Sequence, residues 1–429
     1  MLNVCLLNDS FPPLIDGVAN TVVNYAGIIN EKYGKSIVAV PNYPNVKDDY
    51  PYEVIRYPSI DTSKLVGYRT GVPSPNSLLG RIKDKNVDII HTHCPAASTI
   101  AARLIREGVN APIVMTYHTK FDIDIEKAVK GKLLQEAAIK IFAANVSACD
   151  EVWTVSKGAG ENLRSLGYKG DYYIMKNGVD FPRSRVSEAN VDALAKGLSI
   201  DRKYPVFLFV GRMMWYKGCK LTLDSLAKIK NDGYKFKMIF VGDGTDKQEI
   251  MKYSNMSGLV DDCIFTGPVH DRELLKTYFC LADLFLFPST FDTNGIVVRE
   301  AAACSLGSMI IKGSCAAEDI SDGTNGILID ENVESMASAI ENACDNIPYL
   351  RKIGDNASRM LYMSWEDSVA AAVERYQVVI DKYKSKGKTN DDGLDELLSH
   401  IARDYNKTQE FKKKFKAIID NKEITDRYL

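Results

Sequence analysis

The sequence lacks the marks of several large classes of protein. Its nine cysteines form no C-x-x-C pair, so neither a zinc knuckle nor a disulfide framework is indicated, and a reducing cytosol is the expected setting. No apolar run approaches the roughly 18 residues of a transmembrane helix. The N-terminus has no basic region before its apolar residues, which therefore indicate a first strand rather than a signal peptide. We expect a cytoplasmic protein, either soluble or held peripherally on the inner face of the plasma membrane.

Charge of neither sign is in excess. Lys plus Arg number 54 and Asp plus Glu number 56, a formal net charge of −2, so composition gives no reason to expect nucleic acid as a partner. Apolar residues make up 45% and charged residues 26% of the chain, which excludes a disordered or collagen-like protein. At 429 residues the chain is too long for one core, and at about 150 residues each we expect two to three domains.

Short β-rich apolar runs alternate over most of the chain with amphipathic helical stretches, such as Gly17–Glu31, Ile123–Ser147 and Leu221–Lys230. The runs are continuous rather than alternating in polarity, as in strands that are buried on both faces of a parallel sheet. The predicted strands are Leu2–Leu7, Ser36–Val40, Val54–Tyr57, Val87–Ile90, Ile113–Thr116, Glu151–Val155, Val206–Val210, Phe236–Val241, Cys263–Thr266, Leu284–Phe287 and Ser308–Ile311. The pattern predicts an α/β protein with doubly wound parallel sheets.

The alternation is interrupted once, near residues 179–204, where an Asn-Gly pair and a proline give turn signals and a fresh strand follows. We therefore predict an N-terminal domain over 1–180, completed by a returning helix at 365–383, and a C-terminal domain over 181–364. Residues 384–429 are predicted to form a helical C-terminal extension.

Ligands of open α/β sheets bind beyond the carboxyl ends of the strands, so the residues that follow each strand are the candidates. Gly17 begins a helix soon after the first strand, where backbone N–H groups could approach a phosphate or sugar oxygen. An ordinary glycine-containing loop is the alternative. His118 follows the strand Ile113–Thr116, and His91 and His93 follow another. Each of these histidines has a purely structural role as its alternative.

A glycine-bounded loop after the strand Val206–Val210 carries Arg212 and Lys217. Arginine offers a planar fork of donors and lysine a point charge, which together suit a diphosphate. Two unrelated surface charges are the alternative. After the next strand, Gly242 begins a G-x-G pattern, but residue 247 is Lys rather than Gly, so NAD binding is poorly supported.

The most specific stretch lies between residues 287 and 301. Asp292 lies in a polar loop, Gly295 begins a helix, and Glu300 lies within that otherwise apolar helix. The two carboxylates could each accept hydrogen bonds from sugar hydroxyls, one on a transferred sugar and one on a ribose. An exposed Glu on a helix surface is the alternative.

Two other patterns point to chemistry that we do not favour. Asp122-Ile123-Asp124 matches a D-x-D metal-binding pattern, but acidic residues are also common at a helix start, where they favour the helix dipole. No G-x-S-x-G elbow is present, so a hydrolase triad lacks support.

Taken in order, these motifs resemble those of the family 4 glycosyltransferases, retaining enzymes of the GT-B fold. The resemblance runs from Leu2 to about Tyr383. It is carried by Pro12-Pro13 with Gly17-Val18, Tyr117-His118-Thr119, Val155-Ser156, Asn177-Gly178-Val179-Asp180, Gly211-Arg212 with Lys217-Gly218, Val241-Gly242-Asp243-Gly244, the acidic loop through Glu300-Ala301, Asp322-Gly323-Thr324-Asn325-Gly326, and Trp365. The resemblance implies two Rossmann-like domains that face each other across a cleft, and transfer of a hexose from a nucleoside-diphosphate sugar.

The same resemblance implies a role for each candidate residue. His118 would lie beside the donor sugar, Asp292 would contact the transferred sugar, and Glu300 would bind the ribose. The implied catalytic residues are His118, Arg212, Lys217 and Asp292, and the implied donor-binding residues are Gly17, Arg212, Lys217, Gly242, Asn294, Gly295, Ile296 and Glu300. The Arg212 and Lys217 charges would take the place of a metal on the diphosphate, so we expect no metal and no cofactor.

The chain departs from the family pattern at one place. The family usually has two glutamates eight positions apart, and here the first is Asp292, which is one methylene shorter. The following Thr293-Asn294-Gly295 resembles the Thr-Gln-Gly variant of bacterial glycolipid synthases, which glucosylate diacylglycerol. We therefore expect a UDP-sugar, UDP-glucose, as donor and diacylglycerol or a glycolipid as acceptor. A soluble or polysaccharide acceptor is the alternative.

Two lysine-rich helical stretches bear on the acceptor. The first stretch follows His118 and mixes lysines with apolar residues; its lysines are Lys127, Lys130, Lys132 and Lys140. The second stretch follows Phe411, and its lysines are Lys412, Lys413, Lys414 and Lys416. An anionic membrane surface would suit either stretch. A core-facing helix with a solvated lysine face is the alternative for each.

Other functions remain open on the same fold. A phosphorylase would need a lysine-bound pyridoxal phosphate, and a nucleotide-sugar epimerase would act without an acceptor. A sugar-binding module of the periplasmic type would need an export signal. A catalytically impaired, regulatory nucleotide-sugar-binding protein is the alternative that Asp292 motivates.

Overall fold

The computed structural model describes residues 1–14, 16–63, 67–121, 125, 131–388 and 392–419. The chain folds as two compact units. The first comprises Met1–Val155, Ala159–Met175 and the segment that begins at Val369, and the second comprises Ser156–Gly158 and Lys176–Ser368. Each unit has its own sheet and its own apolar core.

The elements alternate between strand and helix, as the periodicity predicts. In chain order the described strands are β1 (Leu2–Leu7), β2 (Gly34–Pro41), β3 (Glu53–Tyr57), β4 (Ser59–Ile60), β5 (Thr70–Gly71), β6 (Ile89–Thr92), β7 (Ile113–Tyr117), β8 (Glu151–Thr154), β9 (Tyr173–Ile174), β10 (Val206–Val210), β11 (Lys237–Val241), β12 (Cys263–Gly267), β13 (Leu284–Phe287), β14 (Ser308–Ile311) and β15 (Ile327–Ile329). The described α-helices are α1 (Gly17–Lys32), α2 (Pro75–Ile82), α3 (Ala97–Val109), α4 (Lys132–Ser147), α5 (Lys157–Ser165), α6 (Glu188–Gly197), α7 (Cys219–Asn231), α8 (Lys247–Met256), α9 (Arg272–Leu281), α10 (Ile296–Ala303), α11 (Val333–Asp345), α12 (Ile347–Met360), α13 (Trp365–Lys386) and α14 (Gly393–Ile419).

The first unit is built on a parallel sheet of seven strands in the order β3-β2-β1-β6-β7-β8-β9. Its central strands are buried along most of their length, which is why they appear in the sequence as unbroken apolar runs. The strand order reverses between β1 and β6. A ligand crevice is therefore expected beyond the carboxyl ends of these two strands.

The second unit repeats this plan with a parallel sheet of six strands in the order β12-β11-β10-β13-β14-β15. The order reverses between β10 and β13, so the switch point of this sheet lies between the loops that follow those two strands. Apolar clusters cover both faces of the sheet, since neighbouring residues along β10 belong to different clusters: Leu208 to one and Phe207 and Phe209 to the other. The predicted fold class, two doubly wound Rossmann-like α/β units, is confirmed.

The predicted strands are all present, with ends that differ by at most two residues. The difference matters in β6, because His91 and Thr92 lie within this strand and not after it. Four short strands, β4, β5, β9 and β15, were not predicted, since two or three residues give no periodicity. The helix expected over Ile123–Ser147 is described from Lys132 onward as α4. Helix α13, predicted to end at residue 383, continues as far as Lys386.

The C-terminal helix α14 belongs to the core of the first unit. Its Leu398 and Ala402 pack into the apolar cluster of that unit. On the same helix, Asp395 is fully buried and lies 2.9 Å from both the Arg103 Nε and the Arg106 Nη2. The predicted extension therefore contributes both apolar and ionic contacts to the first unit. Within the described residues, no helix combines the length and the apolar character that crossing a bilayer requires.

Candidate functional site

Glycines hold the loops at the switch point of the second sheet against one another. Gly242 has a φ of 138°, and a Cβ there would lie 1.9 Å from the Gly211 carbonyl oxygen. Gly218 has a φ of 80°, and a Cβ there would lie 2.2 Å from the Pro288 carbonyl oxygen. Only glycine permits both the left-handed backbone and these close approaches. The loops after β10, β11 and β13 are thereby fixed backbone to backbone.

Lys217 lies in this loop cluster with its charge held by a carboxylate. Its Nζ donates to the Asp292 Oδ1 at 2.6 Å, and the Ser289 hydroxyl donates to the Asp292 Oδ2 at 2.6 Å. The ammonium also lies 5.7 Å from the ring centroids of Tyr216 and of Phe291. The Lys217 side chain is only 10% exposed, so this ion pair is partly shielded from water. The hydrogen bonds that link Ser289 to Asp292 and Asp292 to Lys217 fix the direction of the ammonium.

Arg212, five residues earlier in the same loop, is exposed. Its guanidinium has no hydrogen-bond or ion-pair partner among the residues that the structure describes. A free guanidinium fork beside a fixed ammonium is an arrangement that suits a phosphate chain. The structure therefore places the two predicted diphosphate ligands in one loop at the switch point.

The loop after β13 ends at an uncapped helix. Gly295, with a φ of 58°, is the N-cap residue of α10, and no side chain caps this helix. The first-turn N–H groups, beginning at Ile296, give that end a partial positive charge that favours an anion. Beside it, the buried Asn294 Nδ2 has no hydrogen-bond partner among the described residues. These groups can donate hydrogen bonds to a ligand at the loop.

Glu300 lies on α10 and is held by an arginine. The Arg272 Nη2 donates to the Glu300 Oε1 at 2.7 Å and lies 3.3 Å from the Asp180 Oδ2. The Glu300 side chain is 12% exposed. Burial raises the pKa of the Glu300 carboxyl, and the charge of Arg272 opposes this rise. A buried carboxylate with one strong partner retains lone pairs for further hydrogen bonds, as a ribose would require.

His118 and a second histidine meet at the carboxyl edge of the first sheet. The His93 Nδ1 lies 3.0 Å from the His118 Nε2, and both rings are buried. Burial lowers the pKa of His118 to about 3 and the pKa of His93 well below its usual value. Both rings are therefore neutral at pH 7, so one nitrogen donates a hydrogen bond and the other accepts it.

His91 has a structural role instead. It lies inside β6, and its two ring nitrogens contact the Tyr376 hydroxyl and the Thr116 Oγ1, the latter at 2.7 Å. Both ring nitrogens therefore have hydrogen-bond partners within the core of the first unit. The structural alternative is therefore correct for His91, because the strand extends two residues further than predicted.

The Gly17 prediction needs one correction. The Asp16 carboxylate is the N-cap of α1 and accepts from the Val18 and Ala19 amides at 2.9 and 2.7 Å. These first-turn N–H groups are already bonded, because an aspartate before a helix satisfies them locally. A ligand oxygen near Gly17 would have to displace Asp16 to reach them.

Three residues of these sites were not predicted from the sequence. Asp9 is buried after β1, where it accepts from the Ser98 amide at 2.7 Å and from the Cys94 thiol, and burial raises its pKa. Ser289 and Arg272 act through Asp292 and Glu300. Asp9 and Ser289 each follow a predicted strand closely, which is a signal that the sequence offers. No signal of this kind exists for Arg272, since its partner is 28 residues away.

The candidate residues thus divide between two sites. The carboxyl edge of the second sheet gathers Arg212, Lys217, Gly242, Asp292, Asn294, Gly295, Ile296 and Glu300, whereas Gly17 and His118 belong to the first unit. The D-x-D residues Asp122 and Asp124 lie outside the described residues. Among the residues described, no group of three or more His, Cys, Asp or Glu side chains is arranged to hold a metal.

Comparisons with known proteins show the family and the fold of the chain. The family model described as Glycosyltransferase Family 4 matches residues 15–183, and the model described as Glycosyl transferases group 1 matches residues 190–360. A GDP-mannose-dependent alpha-mannosyltransferase of Corynebacterium glutamicum is 24% identical over 387 residues, which cover 88% of this chain and 89% of that protein. An alpha-monoglucosyldiacylglycerol synthase of Acholeplasma laidlawii is 24% identical over 400 residues, which cover 90% of this chain and 99% of that protein.

A solved structure shows the same fold. The Anabaena protein HepE in complex with UDP aligns with a TM-score of 0.68 at 17% identity, covering 88% of this chain and 100% of that one. The fold of this chain is the GT-B fold, to which the two doubly wound sheets described above correspond. The chain is a glycosyltransferase that belongs to family 4 and has the GT-B fold.

Proposed function

We propose that the protein is a retaining hexosyltransferase that transfers glucose from UDP-glucose to diacylglycerol or a glycolipid at a membrane surface. The observation that carries the donor assignment is the loop at the second switch point, where Asp292 holds Lys217 and where Arg212 has no partner among the described residues. The name of the Acholeplasma laidlawii relative supports glucose and diacylglycerol, and the UDP in the HepE structure supports the uridine base.

The chemistry of the proposal follows from these groups. As the bond between sugar and phosphate breaks, negative charge grows on the departing diphosphate, and Arg212, Lys217 and the N-terminus of α10 stabilise it. Two cationic side chains supply the charge that a divalent cation would otherwise bring, so the proposed reaction needs no metal and no cofactor. The leaving phosphate oxygen takes the proton of the acceptor hydroxyl on the same face, which retains the anomeric configuration.

His118 acts in this proposal as a neutral hydrogen-bonding group. With its pKa lowered to about 3 by burial, the imidazole has no charge at pH 7. A neutral ring hydrogen-bonds a sugar hydroxyl without placing a positive charge beside the electron-deficient sugar of the transition state. His93 fixes the ring through the contact between the two nitrogens.

The membrane part of the proposal rests on helix α4. Leu133, Leu134 and Ile141 are 80%, 61% and 66% exposed on this helix, which is unusual for large apolar side chains in a folded unit. Lys132 and Lys140 are exposed on the same helix, and Lys127 and Lys130 lie outside the described residues. An exposed apolar ridge with lysines beside it matches the chemistry of an anionic bilayer surface. In the second lysine-rich stretch, Lys412 is exposed, and the other three lysines lie outside the described side chains.

The test of the catalytic proposal is a product assay. The protein is incubated with UDP-glucose, UDP-galactose or GDP-mannose and with either diacylglycerol in vesicles or free sugars, and the products are identified by mass spectrometry and by the configuration of the new linkage. We expect an α-glucosyl lipid that forms equally well in the presence of a chelator. Products on soluble sugars alone would favour the soluble acceptor, and no turnover or donor hydrolysis at all would favour a regulatory nucleotide-sugar-binding protein.

The test of the membrane proposal is co-sedimentation with vesicles of phosphatidylglycerol and phosphatidylcholine at low salt. We expect Leu133→Ser with Ile141→Ser to weaken binding at least about tenfold, because two apolar side chains no longer enter the bilayer. Val260→Ser is the matched control, since Val260 is 60% exposed in the second unit. Equal binding of all three proteins would contradict the α4 assignment.

A further inference from the structure

The ion pair between Lys217 and Asp292 joins a residue assigned to the diphosphate with a residue assigned to the sugar. In the structure the lysine is not free: one of its three N–H donors is bonded to the Asp292 Oδ1 at 2.6 Å. The second oxygen of that carboxylate is fixed by the Ser289 hydroxyl, also at 2.6 Å. A diphosphate that reaches Lys217 must therefore approach a positioned negative charge.

We propose that Asp292, held by Ser289, opposes the diphosphate at Lys217 and so discriminates the sugar nucleotide from the product nucleoside diphosphate. The proposal rests on the proposed function, because it takes Lys217 to be a ligand of the donor diphosphate. Besides contacting the sugar, Asp292 selects among nucleotides. It weakens the binding of a nucleoside diphosphate that carries no sugar and thereby promotes product release.

The charges of the two nucleotides give the direction of this effect. A nucleoside diphosphate has a free terminal phosphate and carries more negative charge than the corresponding sugar nucleotide, in which that phosphate is esterified. Repulsion from the Asp292 carboxylate is therefore greater for the product. The donor also brings sugar hydroxyls that can donate hydrogen bonds to the carboxylate, which offsets part of the repulsion, and the product brings none.

The surroundings make the effect strong enough to measure. The Lys217 side chain is 10% and the Asp292 side chain 23% exposed, so water screens their charges only in part. The rings of Tyr216 and Phe291 flank the ammonium and limit its movement toward other positions. The geometry also depends on the length of the aspartate, because one carboxylate reaches both the ammonium and the Ser289 hydroxyl at 2.6 Å.

The experiment is a double-mutant cycle on nucleotide affinity. UDP, GDP and UDP-glucose are titrated by calorimetry into the wild type, Asp292→Asn, Lys217→Ala and the double variant. We expect Asp292→Asn to bind the nucleoside diphosphate about tenfold more tightly than the wild type, with little gain for the sugar nucleotide. In the Lys217→Ala background the same substitution should give at least as large a gain, because the carboxylate repels the diphosphate directly and is then unpaired. Ser289→Ala should give a smaller gain than Asp292→Asn, because the carboxylate stays charged but is no longer fixed.

The control is an ion pair of the same length elsewhere in the second unit. Lys220 and Asp224 on α7 are 2.6 Å apart, and Asp224→Asn removes the same charge from the same unit. This variant should leave the affinity for every nucleotide within about twofold of the wild type. Circular dichroism and thermal unfolding of each variant establish that the fold is retained.

The outcomes separate the inference from the proposed function. If Lys217→Ala does not weaken nucleoside diphosphate binding, or the wild type binds neither UDP nor GDP, the diphosphate assignment and the inference with it are overturned. If Lys217→Ala weakens binding but Asp292→Asn does not strengthen it, only the inference is wrong. An equal gain from Asp292→Asn for the nucleoside diphosphate and for the sugar nucleotide, or a comparable gain from Asp224→Asn, likewise overturns the inference.

Discussion

At the scale of single residues, burial and hydrogen bonding decide what each charge can do. Arg212 is exposed and Lys217 buried, although both lie in one loop, and only the lysine has a carboxylate partner. The lysine is therefore oriented before a ligand arrives, whereas the arginine must lose side-chain freedom when it binds. The two cations contribute differently: one is a fixed point charge and the other a flexible fork.

This difference leads to a prediction for catalysis. Arg212→Ala or Lys217→Ala should lower kcat/KM for glycosyl transfer at least about a hundredfold, the size of a lost donor to a developing negative charge. Initial rates at several donor concentrations give kcat and KM for each variant. Arg202→Ala is the control, because Arg202 pairs with Glu188 and Asp192 on the surface of the same unit. Near-normal rates in both site variants would contradict the assignment of Arg212 and Lys217 to the diphosphate.

At the scale of elements, the sequence predicts the parallel strands and the loops that carry the site. Runs such as Val206–Val210 and Leu284–Phe287 are apolar on both faces, so their positions and direction could be inferred from composition alone. Short strands such as β9 and β15 could not, because their pairing depends on neighbours distant in sequence. The Arg272 contact was missed for the same reason, since Glu300 lies 28 residues away, whereas Ser289 closely follows a predicted strand and could have been found.

The C-terminal extension shows a further limit of sequence-based prediction. The helical extension was predicted, but its docking on the first unit depends on a buried ionic cluster. Asp395 lies within 2.9 Å of both Arg103 and Arg106 on α3, and the Arg103 Nη1 also donates to the Asn145 Oδ1. The partners are almost 300 residues apart in the chain, with Arg103 and Asp395 separated by 292 residues. Neither arginine could be assigned to the core before the structure was known.

This cluster gives a prediction for stability. Asp395→Asn keeps the volume of the side chain but removes the one fully buried carboxylate that two buried guanidinium groups share, so we expect the free energy of unfolding to fall by about 3–5 kcal/mol. Urea unfolding monitored by circular dichroism measures the loss. Asp404→Asn, at an exposed position of the same helix, should change the stability by less than about 0.5 kcal/mol. Similar stabilities of the two variants would show that the buried pair is not required.

At the scale of the whole molecule, protons link the site to the stability of the fold. His91, His93 and His118 are all buried, and burial lowers the pKa of each of them. In the unfolded chain each would take up a proton near its usual pKa of 6.5, whereas in the folded protein His118 stays neutral until pH about 3. The unfolded state therefore binds more protons in this range, so the free energy of unfolding falls as pH decreases below 6.5.

The size of this effect can be predicted for His118. Between pH 7 and pH 5 its contribution should fall by about 2 kcal/mol, since each pH unit below the unfolded pKa changes the free energy by about 1.4 kcal/mol. Urea unfolding at both pH values should therefore show a loss about 2 kcal/mol smaller for His118→Gln than for the wild type. His270→Gln, which replaces an exposed histidine of the second unit, is the control and should keep the wild-type loss. The same loss in all three proteins would mean that His118 takes up a proton as readily in the folded state as in the unfolded state, which would contradict the lowering of its pKa by burial.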